Sequence, residues 1–185
     1  GIEYIAQALA IREDFPEAHY NMGHALLDLS RPAEALASFD RALALKPDYA
    51  EGHNNRGLVL NELGRSEEAL ASYDAAIRLR PGYAEAYSNR GNALKDLRRM
   101  DEALASLHKA ISLKPGFAEA HINLGNALNE LDRTAEAIAH YEKAAQIDPA
   151  SAMAPYNKSL VLLQLNRFRE GFELYRWRWE GDGSG

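Results

Sequence analysis

The chain has 185 residues, 46% of them hydrophobic and 26% charged, with 21 basic against 27 acidic side chains, a net charge of −6 and no cysteine. Without cysteine there can be no disulfide framework, thiol nucleophile or cysteine-built zinc site, and no apolar run approaches the length that spans a bilayer. An acidic chain lacks the basic stripe that phosphate backbones require, so neither a nucleic acid nor an anionic membrane is expected as partner; a cytoplasmic setting is expected.

One spacing organises the elements. Gly23, Gly57, Gly91 and Gly125 lie 34 residues apart, as do Pro47, Pro81, Pro115 and Pro149. Ala35, Ala69, Ala103 and Ala137 keep the same step, and so do Ala42, Ala76, Ala110 and Ala144. Leu26, Leu60, Leu94, Leu128 and Leu162 carry it into a fifth copy. In chain order, residues 1–15 read as the second helix of a truncated preceding repeat. Full repeats follow at 16–49, 50–83, 84–117 and 118–151, then a degenerate capping repeat at 152–180 and a flexible tail at 181–185.

The second repeat makes the local code plain. Leu58, Leu60 and Leu63 give a first helix its apolar contacts, and Gly64-Arg65-Ser66 breaks it. Ser66 is expected to cap the second helix, with Glu67 and Glu68 favourably placed at its positive end. Ala69, Leu70, Tyr73, Ala76, Ile77 and Leu79 recur at helical period, and Pro81 ends the helix because it cannot continue the hydrogen-bond ladder. Small residues (Gly57, Ala69, Ala76) stand where helices must approach closely. A single amphipathic pair cannot bury its apolar face, whereas stacked neighbours can. The expected fold is all-α, an α-solenoid of stacked antiparallel helix pairs.

These residues resemble the tetratricopeptide repeat family, whose pattern places Gly, then Ala with a bulky residue four positions later, then Pro. Here the Ala pairs are Ala35/Phe39, Ala69/Tyr73, Ala103/Leu107 and Ala137/Tyr141. The family's aromatic place holds His19, His53, Tyr87 and His121, and Arg56 and Arg90 stand beside Gly where Leu is usual, so their charged heads are expected to snorkel to solvent. The resemblance implies a superhelical binding scaffold whose first helices line a groove for an extended peptide or partner segment. It implies no chemistry.

Places 2, 5, 6, 9, 12 and 13 of each first helix share one face. The sixth place reads Asn21, Asn55, Asn89, Asn123 and Asn157. Asparagine is a mediocre helix former, and its amide offers both a donor and an acceptor. Such a column could grip a peptide backbone, similar to the asparagine ladder of O-linked N-acetylglucosamine transferase repeats, or it could bond neighbouring helices instead. Asn92 and Asn126 at the ninth place, and Asn61, Lys95 and Asn129 at the twelfth, complete the candidate peptide-binding set. Glu17, Glu51, Glu85 and Glu119 flank it at one end and Asp28, Glu62, Asp96 and Glu130 at the other. These acids favour a neutral to basic partner, or serve simply as dipole partners of their helices.

Other sites find little support. His19, His53 and His121 occupy one place in different repeats, so packing or capping roles are expected rather than a metal. No phosphate-binding loop, zinc-protease motif or nucleophile elbow occurs, and neither catalysis nor a cofactor is expected. Asn157-Lys158-Ser159 is a weak glycosylation match on a helix. Both tryptophans, Trp177 and Trp179, fall in an Arg-interleaved stretch from Phe168 to Glu180. It reads as a bulky cap on the array, and it is similar to the segment that ends the repeats of bacterial proteins continuing into a glycosyltransferase-like domain, which implies a substrate-presenting arm. At the front, Ile5, Leu9 and Ile11 on an open half-repeat are expected to permit end-to-end self-association.

Overall fold

The computed structural model describes residues 2–175, and every regular element among them is an α-helix. In chain order these are α1 (Ile2–Ile11), α2 (Pro16–Asp28), α3 (Pro32–Leu45), α4 (Ala50–Glu62), α5 (Ser66–Leu79), α6 (Ala84–Asp96), α7 (Met100–Leu113), α8 (Ala118–Glu130), α9 (Thr134–Ile147), α10 (Met153–Gln164) and α11 (Phe168–Tyr175). The chain divides into two compact units, residues 1–98 and 99–185, so that α1–α6 build the first and α7–α11 the second. Trp177, Arg178, Trp179 and the 181–185 tail lie outside the described residues.

Each first helix ends in the same way. Ser30, Gly64, Arg98, Asp132 and Asn166 adopt left-handed backbone with φ of 55°, 74°, 61°, 58° and 60°, and only one of the five is the glycine that suits this conformation. The next N–H then turns back to a carbonyl five residues earlier: Arg31 to Leu26 at 2.9 Å, Arg65 to Leu60 at 2.8 Å, Arg133 to Leu128 at 2.9 Å and Arg167 to Leu162 at 2.9 Å. These bonds satisfy carbonyls that the helix end leaves open.

The second helix starts at once. Arg31, Arg65, Arg99 and Arg133 are its N-cap residues, and none makes a side-chain capping bond. Ser66 is therefore not the cap expected of it. It is the first helical residue of α5, and its hydroxyl donates to Asn61 Oδ1 at 3.0 Å. The arginines instead grip a glutamate three residues on, pairing Arg31 with Glu34, Arg65 with Glu68, Arg99 with Glu102 and Arg133 with Glu136, each through two bonds of 2.7–2.8 Å. Arg167 repeats the fork on Glu170. Exposed pairs of this kind add little stability, but they fix the approach of the chain into the second helix. At the far end, Lys46, Arg80, Lys114 and Asp148 are extended, with φ between −138° and −127°, as residues preceding proline must be.

Packing within a helix pair follows from side-chain size. A Cβ added to Gly23 would stand 2.7 Å from the Phe39 ring, one on Gly57 2.6 Å from Tyr73, and one on Gly125 2.6 Å from Tyr141. Each aromatic ring of the second helix thus lies directly on the first helix's backbone. Ala35, Ala69, Ala103 and Ala137 are fully buried beside these contacts. In the second unit Leu107, Leu124, Leu128 and Tyr141 centre one continuous core. Gly171 lets α11 close on α10, since a Cβ there would meet Leu163 at 2.7 Å. On α1, Tyr4 and Ile11 stand 75% and 89% exposed.

Candidate functional site

The asparagines of the first helices are not equivalent. Asn21 is exposed and makes no hydrogen bond among the described residues, whereas Asn55 is 9% exposed and bonded across the stack. Its Nδ2 donates to Tyr20 Oη at 2.7 Å and to His24 Nε2 at 2.8 Å, both on α2. Its Oδ1 accepts from Asn54 Nδ2 at 3.2 Å, and Asn54 Oδ1 in turn accepts from Asn89 on α6 at 3.0 Å. An amide relay thus ties α6 to α4 to α2 in the first unit. In the second unit Asn126 Oδ1 accepts from Asn157 on α10 at 3.1 Å and from the Tyr141 hydroxyl on α9 at 2.8 Å. Asn123 is 8% exposed.

The twelfth place behaves similarly. Asn61 Nδ2 donates to Asp96 at 3.1 Å, and Lys95 lies 3.7 Å from the same carboxylate group. Asn129 Oδ1 is buried with no hydrogen-bond partner; its counterpart two repeats back, Asn61 Oδ1, is satisfied by Ser66, a position that Thr134 occupies here. The ninth place faces outward at four of its five positions, Asn126 being engaged by its neighbours. Leu58 is 42% and Leu160 37% exposed, His24 is exposed, and Asn92 is half-exposed without a hydrogen bond among the described residues. Leu58 is thus not the core contact the sequence pattern suggests. The interior of the pair is taken by Val59 and Leu60, both fully buried, which turns Leu58 outward.

Two of the acids at the second place, Glu17 and Glu51, are already engaged. Lys46 reaches Glu17 at 3.4 Å while lying 4.7 Å over the Tyr49 ring. Arg80 pairs with Glu51 and lies 4.7 Å over Tyr83. The Arg80 hydrogen bond holds the Glu51 carboxyl below its ordinary range. Burial, with Glu51 nearby, pushes the Tyr83 phenol up to about 12, and burial first also raises Tyr20. Basic-Pro-x-aromatic-Ala-Glu, seen as Lys46 to Glu51 and Arg80 to Glu85, was the unread signal for this clasp. At the far end of the first-helix face, Asp28 and Glu62 are exposed and make no ion pair among the described residues.

Arg56 and Arg90 do not run out to water. Their guanidinium groups are about one-quarter exposed and meet Asp40 at 2.6 Å and Asp74 at 2.8 Å, and Arg56 also donates to Ser72 Oγ at 2.6 Å. A carboxylate one repeat back is a better partner for a half-buried stem than solvent. The histidines at the aromatic place act as ties. His19, His53 and His121 point Nε2 at the carbonyls of Glu13, Pro47 and Pro115, at 2.8, 2.9 and 3.4 Å. Ser159 of the glycosylation match is fully buried within α10. No cluster of three or more metal-binding side chains gathers among the described residues, and no described helix is long and apolar enough to cross a membrane.

A tetratricopeptide repeat family model matches residues 20–84 and 88–152, more than half of the chain. The chain belongs to the tetratricopeptide repeat family. Solved structures share the fold. TTC0263, a thermophilic repeat protein of Thermus thermophilus, is 22% identical with a TM-score of 0.80 over 87% of this chain and 88% of that one. MamA of Desulfovibrio magneticus RS-1 is 21% identical with a TM-score of 0.72 over 90% and 94%. YrrB, described as having an unusual peptide-binding site, is 22% identical with a TM-score of 0.68 over 94% and 90%. No curated protein matches the sequence.

Proposed function

We propose that this tetratricopeptide repeat chain is a non-catalytic, cytoplasmic interaction scaffold that holds an extended peptide segment of a protein partner along its first-helix faces. The carrying observation is that the ninth place presents both leucine and amide side chains outward, Leu58 and Asn92 in the first unit. The place reads His24, Leu58 and Asn92 in the first unit and, in the second, Asn126 and Leu160, and within each unit bonded asparagines tie neighbouring first helices together. An extended segment presents side chains and peptide groups in turn, so apolar contacts and amide bonds can both be met. The peptide-binding description of YrrB supports this reading. Exposed Asp28 and Glu62 favour a neutral to basic segment. In this reading Asn21 and Asn92 touch the ligand. Asn55, Asn89, Asn123, Asn157, Asn61, Asn126 and Asn129, with Lys95, shape and space the surface.

Peptides selected from a random library on the full chain provide the probe. Substituting Leu58 and Asn92 by Ala should weaken the selected peptide about tenfold or more, with helicity by circular dichroism unchanged. Replacing Asn55, Asn89 and Asn123 together should weaken it as well, and at some loss of stability. A library that yields no binder, or affinities unmoved by both sets, overturns the reading.

Two further uses rest on the ends. The exposed Tyr4 and Ile11 of α1 would allow end-to-end self-association, which sedimentation as a strict monomer at high concentration would refute. The Gly171-Phe172-x-x-Tyr175 stretch, with Gly171 packed on Leu163, favours a second reading as the arm of a larger glycosyltransferase. The coding sequence beyond residue 185 decides that reading.

A further inference from the structure

Two histidines on different helices of the second unit meet face to face. His121 stands in the first turn of α8 and His140 near the middle of α9, with Nδ1 atoms 3.0 Å apart. Their ring centroids are 5.3 Å apart, and His121 is only 6% exposed. The remaining nitrogen of His121, Nε2, faces the Pro115 carbonyl. A carbonyl only accepts, so in the neutral ring Nε2 carries the hydrogen and Nδ1 is bare. The hydrogen between the rings therefore belongs to His140 Nδ1, which donates to His121 Nδ1.

We propose that this pair is an acid-sensitive latch that holds α9 onto α8 while at least one ring is neutral and releases it when both are protonated. The first added proton is accommodated, because it enters at His140 Nε2 and leaves the bond between the rings intact. The second can only enter at His121 Nδ1. Two N–H groups, each on a cation, then confront one another at a distance that only a donor and an acceptor tolerate. The groups that face the pair make double protonation harder still. Burial comes first for both rings; at His121 the Pro115 carbonyl opposes it and Lys143 on α9 adds to it, and at His140 His121 and then His108 from α7 add to it while Glu136 on α9 opposes. Both imidazoles are consequently held below the ordinary value of 6.5.

The linkage sign follows from these depressed values. The folded chain binds fewer protons than the unfolded one, so the latch stabilises fully above pH 6.5 and its contribution is lost as pH falls below that value. The consequence reaches the first-helix face. Tyr141, next to His140, lies on Gly125 and donates to Asn126, which also accepts from Asn157. Loosening α9 from α8 therefore disturbs the amide bonds that link α8 to α10.

Proton resonance of the imidazole ring hydrogens in the full chain tests this directly. The signals of His121 and His140 are expected to titrate below 6.5 and to show two coupled steps. Thermal melting supplies the second readout. Acidification from about pH 7.5 to about pH 5.5 should lower the wild-type midpoint, and His140→Gln, whose amide can donate to His121 without titrating, should reduce that drop by about half. Titration of His121 at or above 6.5, or an equal drop in wild type and variant, overturns the latch. If the variant does not fold, the wild-type resonances decide.

Discussion

The seventh place of the first helix is occupied by different chemistry at α4 and α6 of the first unit and at α8 of the second. In the first unit Arg56 and Arg90 stand there and reach back to Asp40 and Asp74 on the preceding second helix. In the second unit the same place holds Leu124, fully buried in the core, and the carboxylate's place is taken by His108. At α10 the charged pair returns as Lys158 and Glu142 at 2.6 Å. The backbone of the repeat therefore accepts either an ion pair or an apolar contact at one position. What the choice changes is sensitivity. The charged seam responds to salt, whereas the apolar seam at Leu124 lies on the helix pair that carries the proton-sensitive tie of His121 to His140.

Exchanging the two chemistries is the most severe test of this comparison. Leu124→Arg puts a cation where no carboxylate waits, and an uncompensated buried charge should cost about 3–5 kcal/mol in a denaturant melt. Adding His108→Asp rebuilds the arrangement of Asp40 and Arg56, and the double variant should recover about 1–3 kcal/mol of that loss. If the second substitution recovers nothing, the two places are not equivalent and the shared register is only a coincidence of numbering.

A smaller effect separates the two aromatic rings that lie on glycine. Tyr73 and Tyr141 fill the same site, but only Tyr141 directs its hydroxyl to an asparagine, Asn126, at 2.8 Å. Tyr141→Phe should therefore cost about 1 kcal/mol, the worth of one bond with its acceptor left open, while Tyr73→Phe should move stability by less than about 0.5 kcal/mol. Equal losses would mean that the ring, not the bond to Asn126, is what distinguishes the second unit.

The same contrast marks what the sequence could reveal. The 34-residue step in Gly, Ala, Leu and Pro was legible because each of those residues answers a steric demand that every repeat shares, such as Gly57 beneath Tyr73. The candidate site was only half legible. Helical period alone places Asn55 and Leu58 on one face, and neighbouring helices decide that the amide is buried and the leucine outward. Reading one repeat at a time also hid contacts that join repeats or helices. Lys46 with Glu17, Arg56 with Asp40 and His121 with His140 are separated by 29, 16 and 19 residues, and none lies on a single helix face. Ser66 was misplaced for a local reason: Arg65 after the left-handed Gly64 takes the cap position, so the serine falls one residue inside α5.

That left-handed position supplies the smallest predicted effect and extends the comparison to the turns. Ser30 and Gly64 close α2 and α4 with φ of 55° and 74°, and both are followed by an arginine whose N–H completes the turn. A side chain in left-handed backbone is strained by roughly 1–2 kcal/mol, but glycine brings greater freedom to the unfolded chain and gives back roughly 0.5–1 kcal/mol of that advantage. Ser30→Gly should therefore stabilise by only about 0.5 kcal/mol, and Gly64→Ser should destabilise by a similar amount, both read from denaturant midpoints at constant slope. The pair is informative because the signs must be opposite. If both substitutions destabilise, the Ser30 side chain contributes something at its turn that outweighs the strain, and the five helix ends are not one structure repeated.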